Sequence, residues 1–447
     1  MFKRGMRVQK LTIIGGGLAG CEAAWQAAEL GVEVELYEMR PAVLTLVHKT
    51  DLLAELVCSN SLGVNDPMKA PGLLKEELRK VGSLLLKAAD SCSIPAGQAL
   101  AVDRGEFSKK VTDLISSHPG IQVIRKEVQE IPEGVCIIAT GPLTSPAFSS
   151  SLKFLCGDYL YYYDASAPIV TGESLDLSKL YHGCRYGRGN EKAYLNSPFT
   201  KEEYLNFAAA IQTSERVPYA PHEDPKFFEG CMPIEEKVDR GIDTLRFGAM
   251  KPVGLPVPGT GKEPYAVVQL RLENQEGTMY NLVGFQTRMK WGEQARIFHM
   301  IPGLEKAEFV RYGVMHRNIF ISAPTLLSPT LQLKTNPLLF FAGQITGVEG
   351  YVEDIASGYL AGVNAALYMT GMKPILFPET TAVGSLIHYI THARSKDFQP
   401  MSINFSLFPP LPFSVKDKAL RQKLTAERAL KDLEQFNQYS RKGVYAS

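Results

Sequence analysis

The chain has 447 residues, 45% of them hydrophobic and 21% charged, with 48 basic against 47 acidic side chains for a formal net charge of +1. That length suits two or three domains of ordinary size, the composition excludes a disordered, collagenous or coiled-coil chain, and the charge balance excludes holding nucleic acid by overall charge alone. Seven widely spaced cysteines without a Cys-x-x-Cys or a Cys/His cluster exclude a disulfide framework and leave no metal site expected.

The basic start, Met1 to Arg7, leads into an apolar stretch of only four residues, which reads as a strand and not as a secretory leader. No segment approaches the roughly 18 consecutive apolar residues of a membrane span. The expectation is a cytoplasmic protein without a membrane span.

The strand Leu11-Thr12-Ile13-Ile14 runs into Gly15-Gly16-Gly17-Leu18-Ala19-Gly20, an Ala-rich helix follows to about Leu30, and residues 32–38 alternate as a second strand ending at Glu38. This βαβ unit carries the G-x-G-x-x-G fingerprint of dinucleotide binding, with Glu38 standing 18 residues after Gly20. Gly15 makes the tight turn, Gly17 lets a pyrophosphate approach the backbone, Gly20 lets helix and strand pack, and Leu18 and Ala19 open the helix whose N-terminus faces the phosphates. Glu38 would take the ribose hydroxyls.

Two further buried-strand runs end in glycine, Val135 to Gly141 and Leu338 to Gly343. With Gly343-Gln344 and the following Gly347-Val348-Glu349-Gly350, they resemble the additional sheet contacts of glutathione-reductase-type flavoproteins, which favours FAD over NAD as the bound dinucleotide. Such flavoproteins usually carry an acid after the final Ala-Gly, and Gln344 departs from that. The implied fold class is α/β, a glutathione-reductase-like FAD-binding doubly wound sheet with an inserted second α/β domain. Residues 1–150 would form the first part of the FAD-binding domain, 151–325 the inserted substrate and RNA-side domain, and 326–447 the second part with a helical tail. From Ser414 onward the tail has eight basic and four acidic residues, an RNA-contact candidate or a solvated helix face packed on the domain.

Cys58, in Glu55 to Leu62, and Cys231, in Phe227 to Glu235, sit among polar and glycine residues; spacing alone reads each as a buried small hydrophobe or a nucleophile. These segments belong to a longer set: Tyr37-Glu38-Met39-Arg40-Pro41, Pro95-Ala96-Gly97, Ala99 to Arg104, Met250 to Leu255, Val283 to Thr287, Arg311 to Asn318, and Gly347 to Glu353. In that order they resemble the folate- and FAD-dependent tRNA (uracil-5-)-methyltransferase family, TrmFO, through nearly the whole chain.

The resemblance implies C5 methylation of a T-loop uridine in tRNA, with methylenetetrahydrofolate as carbon donor, FAD as cofactor and NADH or NADPH as electron donor. It places the catalytic pair on Cys231 and Cys58. Cys231 is assigned as the nucleophile at uracil C6 and Cys58 as general base or guard of the flavin, with the opposite assignment open. The cofactor set is Gly15, Gly16, Gly17, Leu18, Ala19, Gly20, Glu38, Arg40, Gly343, Gln344, Glu349 and Tyr351. The chemistry agrees, since a thiolate added at C6 turns C5 into an enolate carbon able to attack an electrophilic methylene. Lys251, Arg271, Arg288, Lys290, Arg311 and Arg317 are candidates for RNA phosphates or ordinary surface charges. The remaining cysteines, 21, 92, 136, 156 and 184, read as packing. The partners expected are tRNA and folate, with no stable protein partner.

Lys49, Gly63 and Arg288 stand where the family usually has His, Arg and His. The same chemistry on a ribosomal RNA uridine, or a flavin-dependent oxidoreductase without RNA, are the alternatives. The second would predict another complete G-x-G-x-x-G for a nicotinamide dinucleotide, and the sequence has none.

Overall fold

The computed structural model describes residues 10–45, 47–157, 160–187, 193–219, 232–274, 277–395 and 398–444. Its first sheet has six strands in the order β16 (Gln332–Leu333), β17 (Asn336–Phe341), β7 (Cys136–Ile138), β1 (Leu11–Ile14), β2 (Val34–Glu38) and β6 (Ile121–Arg125). Every pair is parallel except the β16–β17 hairpin. The apolar runs of β1, β7 and β17 follow from burial on both faces, as parallel sheets demand. The strand order turns back at β1, whose neighbours are β2 on one side and the much later β7 on the other. Such a reversal opens a crevice at the carboxyl ends of the strands, where ligands bind in doubly wound sheets.

The second sheet is antiparallel, in the order β10 (Tyr181–His182), β11 (Tyr194–Phe199), β12 (Ala266–Leu272), β13 (Met279–Leu282), β9 (Ile169–Thr171) and β14 (Phe309–Arg311). It has its own core, in which Phe199, Phe207, Phe285 and Phe298 pack from the sheet, its loops and the flanking helices. The chain leaves for this sheet along β8 (Leu160–Ala165) and returns along β15 (Met315–Phe320), the two paired antiparallel. A small sheet of β3 (Ser61–Val64), β5 (Ala99–Val102) and β4 (Ser93–Ile94) completes the strands.

Two helices aim the first sheet's crevice. The fingerprint helix Leu18–Glu29 and the helix Tyr351–Met369 pack almost backbone to backbone. A Cβ placed on Gly358 would lie 2.3 Å from the Ala19 carbonyl oxygen, and one on Gly362 2.4 Å from that of Ala23. Only glycine permits this approach, and because Ala19 is the second residue of its helix and Gly358 the eighth of its own, the helix Tyr351–Met369 extends about 9 Å further toward its N-terminal end.

The tail is helical over Lys418–Val444. Ala426, Ala429 and Leu433 are buried, and Lys80 of the helix Ala70–Val81 pairs with Glu434 at 3.4 Å, so this helix packs on the domain as the solvated-face reading holds. Among the described residues no helix is long and apolar enough to cross a membrane.

Candidate functional site

A cleft opens where β1, β2, β7 and β17 end. Gly15, Gly17, Leu18, Ala19, Glu38, Arg40, Gly343, Gln344 and Tyr351 all line it. Gly15 has φ +107°, and a Cβ there would lie 2.4 Å from the Ala139 carbonyl oxygen. A Cβ on Gly20 would fall 1.8 Å from the oxygen of Gly15, so Gly20 shapes the turn from behind without lining the cleft. Gly17 has nothing within 4 Å of its Cβ position, which leaves backbone and helix N-terminus open to a ligand.

Glu38 is fixed before any ligand arrives. Its Oε2 accepts from Gly16 N–H at 3.0 Å, and its Oε1 accepts from Arg40 N–H and Nε, each at 2.9 Å. Burial works against its charge, yet the Arg40 guanidinium and these N–H donors prevail and hold the carboxyl below the usual range. Arg40 is 2% exposed and also bonds Glu55 Oε2 at 2.9 Å, so it braces Glu38 more than it faces solvent. Gln344 Nε2 donates to Glu349 Oε2 at 2.7 Å. Glu349 does not line the cleft and stands one step behind it.

Tyr351, first residue of its helix, joins the cleft to the thiol segment. Its Oη accepts from the backbone N–H of Cys58 at 2.7 Å and of Ser59 at 3.1 Å, across 293 and 292 residues of chain. Burial, with Cys58 second, raises its phenol pKa far above the ordinary value. Cys231 lies outside the described residues, as does its preceding segment.

The same segment is tied to the second sheet. Arg271 donates from Nη2 to Ser59 Oγ at 2.8 Å and from Nε to Asn60 Oδ1 at 3.1 Å. Asn60 Nδ2 donates in turn to the carbonyls of Val102 at 3.1 Å and Leu272 at 2.9 Å. Arg104 bonds the Leu56 carbonyl at 2.8 Å and pairs with Glu273, whose other oxygen accepts from Asn281 Nδ2 at 2.8 Å. Arg311 reaches the same place, with buried Nε and Nη2 that have no hydrogen-bond partner. Burial and then Arg104 disfavour its charge, while Glu273, Tyr351 and Cys58 favour it. Three guanidiniums therefore gather around one carboxylate beside Cys58.

This corrects the expectation for two basic residues. Arg271 is buried and engaged and Arg311 is turned inward, so neither is a surface charge or an exposed phosphate contact. Arg288 pairs with Glu236 at 2.8 Å and covers the Tyr219 ring, whereas Lys290, paired with Glu215, keeps a largely exposed side chain. The side chain of Arg317 lies outside the described residues. Cys21, Cys92, Cys136 and Cys184 are buried. Burial raises the Cys136 thiol to about 12 and the half-buried Cys156 thiol to about 11, as packing residues would show. The sequence pattern missed the helix contact at Gly358 and Gly362, where small residues four apart were the available signal, and Asp354, which lines the cleft.

These features define an α/β protein whose dinucleotide-type cleft is coupled to a cysteine segment at the boundary of a second sheet. The model of the family described as "Glucose inhibited division protein A" matches residues 10–373. A TrmFO methylenetetrahydrofolate--tRNA-(uracil-5-)-methyltransferase of Moorella thermoacetica is 59% identical over 423 residues, covering 94% of this chain and 97% of that protein. The like-named protein of Anoxybacillus flavithermus is 56% identical, covering 96% and 99%. The solved structure of Aquifex aeolicus GidA in its form II crystal superposes with a TM-score of 0.68 at 18% identity, over 96% of this chain and 73% of that one, and shares the fold. The chain belongs to the glucose inhibited division protein A family and, within it, to the TrmFO proteins.

Proposed function

We propose that this protein methylates C5 of a uridine in the T-loop of tRNA, taking the carbon from methylenetetrahydrofolate and the electrons from bound FAD that NADH or NADPH reduces. The relatives' shared name supplies the donor, the RNA and the atom. The observation that carries the reading is Tyr351, which lines the cleft and accepts from the backbone N–H groups of Cys58 and Ser59, so the wall of the cleft and the cysteine segment are joined directly.

The residues present fit FAD. The open Gly17 backbone and the N-terminus of the fingerprint helix suit a pyrophosphate, and the braced Glu38 carboxylate keeps an acceptor site on Oε2 for a ribose hydroxyl. The N-terminus of the fingerprint helix favours the negative charge of the phosphates. When bound, reduced FAD supplies the two electrons that bring the transferred methylene to a methyl group.

The protein's own residues do the rest. A thiolate, assigned to Cys231, adds to uracil C6, and the C5–C6 electron pair moves onto the ring as an enolate. C5 then bonds the methylene as one of that carbon's two bonds to folate nitrogen breaks. The C5 proton passes to a base, assigned to Cys58, as the second carbon–nitrogen bond breaks to release tetrahydrofolate and leave an exocyclic methylene; once a hydride has reduced this to methyl, the C5 enolate expels the sulfur from C6 and restores the double bond. Arg104, Arg271 and Arg311 put positive charge beside the Cys58 segment and stabilise an anion formed there. Reaching the target uridine requires flipping it from the tRNA elbow.

The test is transfer of labelled carbon from methylenetetrahydrofolate into unmodified tRNA and ribosomal RNA, with FAD and NAD(P)H, followed by nucleoside analysis. Label in T-loop 5-methyluridine supports the reading; label only in ribosomal RNA changes the substrate, and no label in either refutes it. RNA carrying 5-fluorouridine should trap a covalent complex that Cys231→Ala abolishes. Loss with Cys58→Ala alone reverses the two cysteine roles.

A further inference from the structure

The first turn of the helix Tyr351–Met369 carries a carboxyl that no step above uses. Asp354 lines the cleft, and its Oδ1 lies 3.8 Å from where a Cβ on Gly343 would stand. That oxygen is buried and has no hydrogen-bond partner. A buried acceptor of this kind is rare in native structures and marks a place where something else completes the bond.

The nearby donors are committed elsewhere. Gln344 Nε2 goes to Glu349, Gly343 N–H goes to Ser357 Oγ at 2.8 Å, and Ser357 Oγ donates to the backbone carbonyl of Asp354 at 2.9 Å. No counter-charge offsets the carboxyl, since the charges acting on it are those of Glu349 and Glu353. Lys75 acts on Glu353 from the packed helix Ala70–Val81, while the Glu38 and Arg40 pair satisfies itself and Tyr351 is held by Cys58 and Ser59. Among the described residues, completion of Oδ1 is left to a group in the cleft.

The chemical order of FAD indicates which group. Adenosine, pyrophosphate, ribityl chain and isoalloxazine follow one another. Glu38 and the glycine turn serve the first two, and the cysteine segment beyond Tyr351 marks the reacting end. Asp354 lies between them, against Gly343 and three residues beyond Tyr351, on the same helix face. Resting on the flavin reading above, we propose that Asp354 in its protonated form holds the ribityl hydroxyls of FAD and links flavin retention to pH. A protonated carboxyl offers one donor and free acceptor sites, which match a polyol. A carboxylate beside Glu349, Glu353 and a pyrophosphate would be repelled. Burial, then Glu349 and Glu353, raises the pKa of Asp354 well above the usual range, which keeps the neutral form available.

The test uses the full-length protein freed of flavin and titrated with FAD by equilibrium dialysis and flavin fluorescence between about pH 6 and pH 9. Asp354→Ala should weaken FAD binding about tenfold, and Asp354→Asn, which keeps a donor and an acceptor, should stay within about threefold of the parent. Parent affinity should fall on the alkaline side, and that of Asp354→Asn should not. The flavin-free Asp354→Ala protein should melt no lower than the parent, because it loses an atom that had no partner.

Parent-like affinity in Asp354→Ala, equal losses in the Ala and Asn variants, an unchanged alkaline fall in Asp354→Asn, or a lower melting temperature of flavin-free Asp354→Ala would each overturn the proposal. A parent protein that takes up no FAD at any pH would instead overturn the flavin reading beneath it.

Discussion

Tyr351→Phe removes one oxygen and nothing else from the junction of cleft and thiol segment. That oxygen accepts from two backbone N–H groups, of Cys58 at 2.7 Å and Ser59 at 3.1 Å. A buried donor left unsatisfied costs about 1–3 kcal/mol, so losing both costs roughly 2–6 kcal/mol before the segment relaxes. Water entering from the cleft can recover one bond, which leaves about 1–3 kcal/mol and shifts the closed-to-open equilibrium of the Cys58 segment roughly 5- to 150-fold toward open. Two assays read the same quantity. Alkylation of Cys58 by iodoacetamide, followed by peptide mass analysis, should accelerate in the variant as the segment opens. Carbon transfer to tRNA should fall, by at most the same factor, at saturating donor and RNA. The reasoning is refuted if Tyr351→Phe alkylates Cys58 at the parent rate and keeps parent activity.

Arg311→Met removes an inward guanidinium whose Nε and Nη2 have no partner; carbon transfer should drop about tenfold or more in kcat at little cost in thermal stability, and unchanged kcat would refute the stabilising role given to it. Gly358→Val places a side chain where even a Cβ would be 2.3 Å from the Ala19 oxygen, so the two helices must separate; the purified variant should retain little FAD, and a fully yellow preparation would contradict that. The Glu38 carboxyl is held below its ordinary range by Arg40 and Gly16. Its stabilising contribution is therefore present above the unfolded glutamate value and is lost as pH falls through the lower folded one. Urea unfolding of Glu38→Gln should show a shallower loss of stability on the acid limb, and an identical acid slope would remove Glu38 from that balance.

The βαβ unit was legible because two local signals coincide in it, a change of hydrophobic period and a glycine cluster between the two patterns. Leu11–Ile14 and Leu18–Glu29 match the expected strand and helix, whereas β17 starts at Asn336, two residues before its apolar run, because ladder pairing does not require apolar side chains. The cleft followed from the fingerprint. What surrounds Cys58 did not, because Tyr351 is 293 residues away and no periodic signal spans such a distance. Arg271 and Arg311 looked like surface charge because sequence shows neither the partners that engage a buried guanidinium, here Asn60 and Ser59 for Arg271, nor the absence of a partner that marks Arg311.

The position of Tyr351 makes the two lobes energetically dependent on each other. Its helix is fixed against the fingerprint helix by Gly358 and Gly362, so the phenol cannot move without disturbing the wall of the cleft. Its oxygen fixes Cys58 and Ser59, and Ser59 and Asn60 are in turn bonded by Arg271 from the second sheet. Each link is short, at least partly buried and made by atoms with few alternatives, and such contacts change between discrete arrangements more readily than they stretch. A ligand that orders the N-terminus of the helix Tyr351–Met369 therefore also orders the cysteine segment, and a ligand that draws on Arg271 or Arg311 acts back on the cleft. If tRNA draws on Arg271 or Arg311, reciprocity of binding free energies requires it to change FAD affinity by the same factor with which FAD changes tRNA affinity. Titrating FAD with and without tRNA, and tRNA with and without FAD, measures the two factors separately. With Tyr351→Phe, the link through the phenol oxygen is gone and both factors should fall together toward one.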